Sequence, residues 1–364
     1  MSWTLVGQER ATTALSAAVK SGRVAHAYLF AGPRHVGKSL AAMQFAQALN
    51  CESDDPPCGG CRACERIASG MHPDVETVGL GGACDEAEHR HTADDSRFIR
   101  ICQVRRLERI VSRAPFEGRQ RVLIIEPADA VGPEAAAALL KTLEEPPPNV
   151  VMVLLTDREE MLLDTIRSRT RRVAFGGIPQ EKVEQALRNR WDAEPQQAAE
   201  LARMAGGRLG QAVLALRDPE GAERRVEALK SAEAMAQAPL SERFVFADRL
   251  GTGYGRNRSA VQATLEAWQE WWRDVLLVAS GREEQAVHRG GLDTLRAIAA
   301  QCGARPAARA LRAITDARQQ LEENASPVLA LEAMMLTLPR TQPNAVSERL
   351  ASRQGGNGVP SRAP

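Results

Sequence analysis

Eight residues near the start of the chain match a phosphate-binding loop. Gly32 to Ser39 reads Gly-Pro-Arg-His-Val-Gly-Lys-Ser and fits the pattern G-x-x-x-x-G-K-[ST]. In such a loop the backbone N–H groups surround the phosphates of a nucleotide, Lys38 reaches them, and Ser39 ligates Mg²⁺. Gly32, Gly37, Lys38 and Ser39 are therefore the candidate nucleotide-binding residues.

The strand that should complete this site ends in an unusual pair. Val122 to Ile125 is apolar and is followed by Glu126 and Pro127. A working P-loop ATPase usually ends this strand in Asp-Glu, with one carboxylate for the metal and the next to polarise the attacking water. Pro127 offers no acid, so we predict that the chain's own ATP hydrolysis is absent or very weak.

His35 leaves nucleotide binding itself open. A small residue, commonly glycine, is usual at this place in the loop. A bulky residue there costs roughly 1–2 kcal/mol if its φ is positive. ATP and Mg²⁺ are therefore expected at most as bound ligands that are not turned over.

Four cysteines within fourteen residues form the second set of candidate functional residues. Two thiolates two residues apart can ligate one tetrahedral Zn²⁺ from a tight turn, and Gly59-Gly60 supplies the backbone freedom. The alternative is free thiols packed as small hydrophobic groups. With four thiolates the metal has no open position, so we predict a structural zinc site. Its ligands are Cys51, Cys58, Cys61 and Cys64.

Several other histidines and cysteines, and three tryptophans, are expected to be structural or surface residues. His72, His89 and His91 are expected to be surface histidines, and Cys84, Cys102 and Cys302 to be structural or incidental. Trp268, Trp271 and Trp272 have the spacing of one helical face, which predicts core or interface packing.

Around these groups the sequence predicts an α/β domain followed by helices. Ala27–Ala31, Val122–Ile125 and Val150–Leu155 read as buried parallel strands, and helices are expected from Leu40 and from Pro133. Residues 79–97 read as a loop insertion. The expected divisions are a P-loop domain over 1–175 with the zinc module at 51–64, a small helical unit over 176–217, an all-α domain over 218–341 and a disordered tail over 342–364.

Bulk composition excludes some function classes. The 364 residues carry 47 basic and 46 acidic side chains, a net charge of +1, so there is no global signature of polyanion binding. No apolar run is long enough to span a membrane, and no signal-peptide pattern is present. We expect a cytoplasmic protein with reduced thiols.

Several motifs occur in the order found in one family. They are Leu5-Val6-Gly7-Gln8, His26-Ala27-Tyr28-Leu29-Phe30, the P-loop, the four-cysteine insertion, Leu139 to Pro147 (Leu-Leu-Lys-Thr-Leu-Glu-Glu-Pro-Pro) and Ser168-Arg169. Together they resemble the bacterial clamp-loader ATPases of the AAA+ class, with the non-motor, delta-prime-like subunits of DNA polymerase III as the nearest type. The resemblance covers roughly residues 1–340.

The resemblance implies an AAA+ P-loop domain with a parallel sheet, a helical lid and an all-α collar domain. It implies a hetero-pentamer with gamma/tau and delta subunits that loads the sliding clamp onto primed DNA. Arg169 would act in trans as an arginine finger in the ATP site of the adjacent motor subunit. Thr156 matches the polar sensor position near the γ-phosphate, and Gly210 stands where motor subunits carry a nucleotide-sensing arginine.

Two other functions compete with this interpretation. The first is a catalytically active, gamma/tau-like motor subunit of the same machine, which Pro127 and Gly210 disfavour. The second is a zinc-bearing DNA-binding module with a relic P-loop, which the near-zero net charge disfavours.

Overall fold

The computed structural model describes residues 3–85, 98–286, 288, 291–322 and 325–342. The chain divides into two units, one from Met1 to Leu214 and one from Ala215 onward. No helix among the described residues is both long and apolar enough to cross a membrane.

A five-stranded parallel sheet forms the centre of the first unit. Its strand order is β2-β3-β4-β1-β5, so the P-loop strand β1 lies between β4 and β5. The three strands predicted from apolar runs are confirmed, whereas the sequence analysis did not predict the short, largely half-buried β2. The strands are β1 (Ala27–Ala31), β2 (Val75–Val78), β3 (Arg121–Ile125), β4 (Val150–Thr156) and β5 (Arg171–Ala174).

Nine α-helices accompany the sheet in the described part of residues 3–217, and the last three fall within the range expected for the lid. The helices predicted from Leu40 and Pro133 are confirmed as α2 and α5. The helices are α1 (Glu9–Lys20), α2 (Lys38–Asn50), α3 (Arg62–Ala68), α4 (Ile101–Val111), α5 (Pro133–Glu144), α6 (Asp164–Ser168), α7 (Gln180–Trp191), α8 (Pro195–Ala205) and α9 (Leu209–Arg217).

Helices cover both faces of the sheet, which explains why the central strands are apolar without alternation. Alternate strand residues such as Leu29 and Leu123 pack against α4 and α5, whereas Tyr28 and Ile124 pack against α1, α2 and α3. This three-layer arrangement places the loops after the carboxyl ends of β1, β3 and β4 at one edge of the sheet.

The second unit is entirely helical where it is described. Its core surrounds Trp268, Trp271 and Trp272, which are at most 5% exposed, so the predicted packing role is confirmed. The helices are α10 (Pro219–Gln237), α11 (Leu240–Tyr254), α12 (Arg258–Ala279), α13 (Leu292–Cys302), α14 (Ala304–Glu322) and α15 (Pro327–Thr337).

Two predicted irregular segments are only partly described. Of the insertion at 79–97, residues 79–85 contain no helix or strand, and 86–97 lie outside the described residues. Of the tail at 342–364, only residue 342 is described. His89 and His91 also lie outside the described residues.

Candidate functional site

The P-loop connects the end of β1 to the start of α2, as the motif requires. Gly32 donates its N–H to the Thr156 carbonyl, 3.2 Å away, which ties the loop to the neighbouring strand. A Cβ at Gly32 would lie 2.2 Å from the Phe175 carbonyl oxygen, and Gly37 has a φ of 100°. Only glycine fits both positions without strain.

His35 adopts the strained conformation that the sequence analysis considered. Its φ is 63°, in the left-handed region that non-glycine residues rarely occupy. Its carbonyl accepts a hydrogen bond from the Gly210 N–H at 2.8 Å. The turn of the loop and the start of α9 are thus joined through backbone atoms.

Lys38 is buried and is bonded to its own loop. Its Nζ donates to the carbonyls of Gly32 and Pro33, at 2.7 and 2.8 Å. Burial lowers the pKa of Lys38, and the nearby carboxylates of Asp157 and Glu126 oppose that shift. A phosphate would have to displace the two carbonyls to take these N–H donors.

Ser39 and Glu126 form the pair that would hold Mg²⁺. The Ser39 hydroxyl donates to Glu126 Oε1 at 2.6 Å, so the two oxygen ligands already lie side by side. Because Pro127 follows Glu126, this strand end supplies one carboxylate. The arrangement can ligate a metal but has no second acid here to activate water.

The Thr156 hydroxyl is hydrogen-bonded to other residues of this chain. It is 1% exposed and donates to Asp129 Oδ1 at 2.7 Å, and it accepts the Arg158 N–H at 3.0 Å. Asp129 also accepts two bonds from the Arg158 guanidinium, at 2.9 and 2.6 Å. The sequence analysis missed Asp129, although an acid three residues after Glu126 in an otherwise apolar segment was a signal.

Gly210 leaves no space for a side chain at the lid. A Cβ there would lie 2.8 Å from the His35 carbonyl oxygen, closer than real contacts allow. An arginine at this position therefore requires the lid to move away from the P-loop. The neighbouring Arg208 is buried and donates to the Ala205 carbonyl.

Arg169 lies just after α6, at the C-terminal ends of two helices. Its Nη1 donates to the Thr165 carbonyl at 3.1 Å, and its Nη2 lies 2.8 Å from Glu144 Oε1. Its side chain remains 35% exposed. The structure therefore joins Arg169 to the Leu139–Pro147 motif, a contact that the sequence analysis did not predict.

The four cysteines meet in space. The sulfur atoms of Cys51, Cys58, Cys61 and Cys64 all lie within 4.8 Å of one another, and Cys51 Sγ is 3.9 Å from Cys61 Sγ. Four sulfurs around a tetrahedral Zn²⁺ with bonds of about 2.3 Å would be about 3.8 Å apart. The cluster could therefore bind a metal ion, and its donor set fits zinc.

Local structure places each of these thiols. Cys51 follows the last turn of α2, Cys61 caps the start of α3, and Cys64 lies in the first turn of α3. Backbone N–H groups of Gly60 and Cys61 lower the pKa of Cys58 to about 7, whereas burial raises the pKa of Cys51 and Cys64. A bound cation would favour the thiolate at all of them.

His72 is not the surface residue that the sequence analysis expected. It is 4% exposed, and its Nδ1 accepts the N–H of Asp74 at 3.1 Å. Burial lowers the pKa of His72, with Glu117 opposing that shift. His72 and Asp74 face the interior, whereas Met71 and Pro73 are exposed, so His72 belongs to the core before β2.

Comparison with known proteins begins with a family model. Residues 7–179 match the model described as DNA polymerase III, delta subunit. The delta-prime subunit of DNA polymerase III from Bacillus subtilis is 29% identical over 332 residues, which cover 91% of this chain and 96% of the relative. The chain resembles the delta-prime subunits of DNA polymerase III. The delta-prime subunit from Pseudomonas aeruginosa is 37% identical over 40% of the chain and 41% of its own length.

The similarity to gamma/tau subunits covers a shorter part of the chain. The gamma/tau subunit of Mycobacterium tuberculosis is 37% identical over 177 residues, which cover 48% of this chain and 28% of that subunit. The chain thus spans about a quarter of the length of this relative.

Solved structures show weaker similarity. A DNA polymerase III gamma subunit-related protein from Thermotoga maritima aligns with a TM-score of 0.36 and 16% identity, over 88% of this chain and 97% of that one. The RuvB Holliday junction branch migration motor of the same organism aligns with a TM-score of 0.39 and 14% identity, over 76% and 78% of the two chains.

The expected fold class is confirmed. A P-loop on a five-stranded parallel sheet, a helical segment after it and an all-α C-terminal unit match the predicted α/β P-loop domain followed by helices. The finer division at residues 175, 217 and 341 stays a prediction.

Proposed function

We propose that the chain is the non-motor, delta-prime-type subunit of the DNA polymerase III clamp loader, which helps to load the sliding clamp onto primed DNA. The observation that carries this proposal is the extent of similarity. Nearly the whole chain aligns with nearly the whole of a delta-prime relative, whereas gamma/tau similarity covers only half of the chain.

The nucleotide site supports a non-motor role. Three of the side chains expected to contact MgATP are already bonded within the chain: Lys38 to loop carbonyls, Ser39 to Glu126 and Thr156 to Asp129. A nucleotide held by Gly32, Gly37, Lys38, Ser39 and Thr156 must break these bonds before it gains its own. Without an acid at Pro127, it would be bound without turnover.

The lid supports the same role. A motor subunit needs a lid that responds to nucleotide, commonly through a sensing arginine. Here Gly210 takes that position and its N–H is bonded to the P-loop at His35. The contact is made by backbone atoms and does not depend on ATP.

Arg169 is the residue that we propose to act outside the chain. As an arginine finger, it would contact the γ-phosphate in the adjacent gamma/tau subunit and stabilise the charge of the transition state in trans. Its partial exposure leaves guanidinium N–H groups available to a neighbour.

The partners follow from this proposal. We infer assembly with gamma/tau and delta subunits in a hetero-pentamer, which brings the chain to the sliding clamp and to primed DNA. The four-cysteine cluster would hold a structural Zn²⁺, because all four tetrahedral positions are filled by sulfur. The cytoplasmic location stays a prediction.

ATP turnover by the purified chain separates this proposal from the motor alternative. We expect no turnover above background, and no change in Lys38→Ala or in Lys141→Ala, an exposed lysine that serves as the matched control. Turnover that Lys38→Ala abolishes and Lys141→Ala preserves would establish a motor subunit instead.

A second experiment tests the contribution made in trans. In a clamp loader reconstituted with gamma/tau and delta subunits, Arg169→Ala should lower ATP hydrolysis at the adjacent site by about tenfold or more and leave assembly intact. The control is Arg167→Ala, which removes a surface arginine of α6 paired with Asp164. An unchanged rate in Arg169→Ala would remove this residue from the mechanism.

A further inference from the structure

Arg169 is held at two points before it meets any partner. The Thr165 carbonyl of α6 accepts a hydrogen bond from Nη1 at 3.1 Å. Glu144 binds Nη2 from α5. Since the guanidinium carries five N–H donors, three remain beyond these two contacts.

Glu144 is in an unfavourable position for its own helix. It is the last residue of α5, where the helix dipole disfavours a negative charge, and its side chain is 52% exposed. Neither helix stability nor core packing therefore explains a carboxylate there. The contact that does use its charge is the ion pair with Arg169.

We propose that Glu144 is a positioning residue for the arginine finger. This inference rests on the proposed function, because it assigns Glu144 a role only if Arg169 acts in the neighbouring ATP site. Glu144 and the Thr165 carbonyl hold the guanidinium in one place, and the remaining N–H groups of the fork face the partner.

Side-chain entropy gives the physical reason. A free surface arginine samples many rotamers and loses that freedom when it engages a phosphate. An arginine already held by two contacts loses less, so its interaction in the transition state is stronger. An exposed ion pair is a weak constraint, so its removal should reduce the rate by about threefold.

Four variants test the proposal in the reconstituted clamp loader. Glu144→Ala removes the carboxylate, and Glu145→Ala is the matched control, since Glu145 is the adjacent exposed acid. Arg169→Ala and the double variant Glu144→Ala/Arg169→Ala complete a cycle. The readouts are kcat and KM for ATP, with assembly followed by size-exclusion chromatography.

We expect Glu144→Ala to lower kcat about threefold with KM for ATP unchanged, and Glu145→Ala to match the wild type. The double variant should equal Arg169→Ala, because Glu144 acts only through Arg169.

Three results would overturn the inference: an unchanged or raised kcat in Glu144→Ala, the same loss in Glu145→Ala, or a further loss when Glu144→Ala is added to Arg169→Ala. If Arg169→Ala itself leaves the rate unchanged, the proposed trans role fails, and the inference about Glu144 fails with it. If Arg169→Ala lowers the rate and Glu144→Ala does not, only the inference fails.

Discussion

At the scale of single residues, His35 combines a strained backbone conformation with the hydrogen bond that joins the P-loop to Gly210. Its left-handed conformation is unfavourable for a side chain with a Cβ, and it persists where the surrounding structure determines the backbone. That surrounding structure includes the Gly210 N–H, which binds the His35 carbonyl. The residue that weakens the P-loop motif is therefore also the one that the lid contacts.

Two substitutions at His35 measure the cost of its strained backbone conformation. His35→Gly and His35→Ala both remove the imidazole, but only glycine relieves the positive φ. We expect the glycine variant to be more stable than the alanine variant by roughly 0.5–1 kcal/mol, since relief of strain exceeds the extra entropy of the unfolded glycine chain. Chemical denaturation of both variants measures this difference, and equal stabilities would show that the turn is not strained.

Pairs of residues were harder to predict than single ones. Glycines, Lys38 and the cysteines are recognisable because their chemistry needs a short, fixed spacing. Asp129 pairs with Thr156, and Glu144 with Arg169, across long stretches of chain. No local spacing indicates such partners, because the fold of the sheet and its helices determines them.

At the scale of elements, the four-cysteine cluster lies in the segment between two helices and the first turn of the second. Cys51 at the end of α2 and Cys61 at the start of α3 are positioned by backbone geometry, and Gln47 of α2 also bonds to the Cys64 carbonyl at 2.8 Å. A metal in this cluster would therefore hold α3 against α2.

Metal analysis tests this role. We expect about one zinc ion per chain, retained under mild chelation and released only when residues 51–64 unfold. Cys58→Ser should lose the metal, whereas Cys84→Ser, outside the cluster, should keep it. Elemental analysis and hydrogen exchange of α3 measure both effects. Metal that leaves under mild chelation without any change in exchange would contradict a structural site.

At the scale of the whole molecule, a buried ion pair joins distant parts of the first unit. Asp74, before β2, accepts N–H groups of Phe116, Glu117 and Gly118 and pairs with Arg121 at 2.8 Å. Burial acts to raise the pKa of Asp74, but the three N–H donors and the Arg121 charge outweigh it and lower the pKa. The pair stabilises the edge of the sheet.

This shift predicts how stability depends on pH. Folding lowers the pKa of Asp74. Its contribution to the free energy of unfolding is therefore fully present above pH ~3.9, the usual pKa, and is lost as the pH falls through the lower pKa of the folded state. Urea titrations followed through methyl NMR signals of Ile124 and Ile125 should show this loss in the wild type. Asp74→Asn should be less stable by roughly 3–5 kcal/mol near neutral pH, since it leaves the Arg121 charge buried.

Asp74→Asn should also have a shallower dependence on pH below about 4, because it lacks the titrating carboxyl. Equal slopes in the two proteins would contradict the assignment. Asp85→Asn is a suitable control, since Asp85 is exposed and its ion pairs are with Arg106 and Arg109.

By itself, the sequence determined the P-loop, the missing acid at Pro127, the four-cysteine cluster and the buried central strands. These depend on residue types at short spacings, where local backbone geometry controls the chemistry. Only the tertiary structure decided that Lys38, Ser39 and Thr156 are bonded within the chain, that Gly210 lies on His35 and that Glu144 holds Arg169. Such contacts join residues far apart in the chain, and the packing of helices on the sheet brings them within bonding distance.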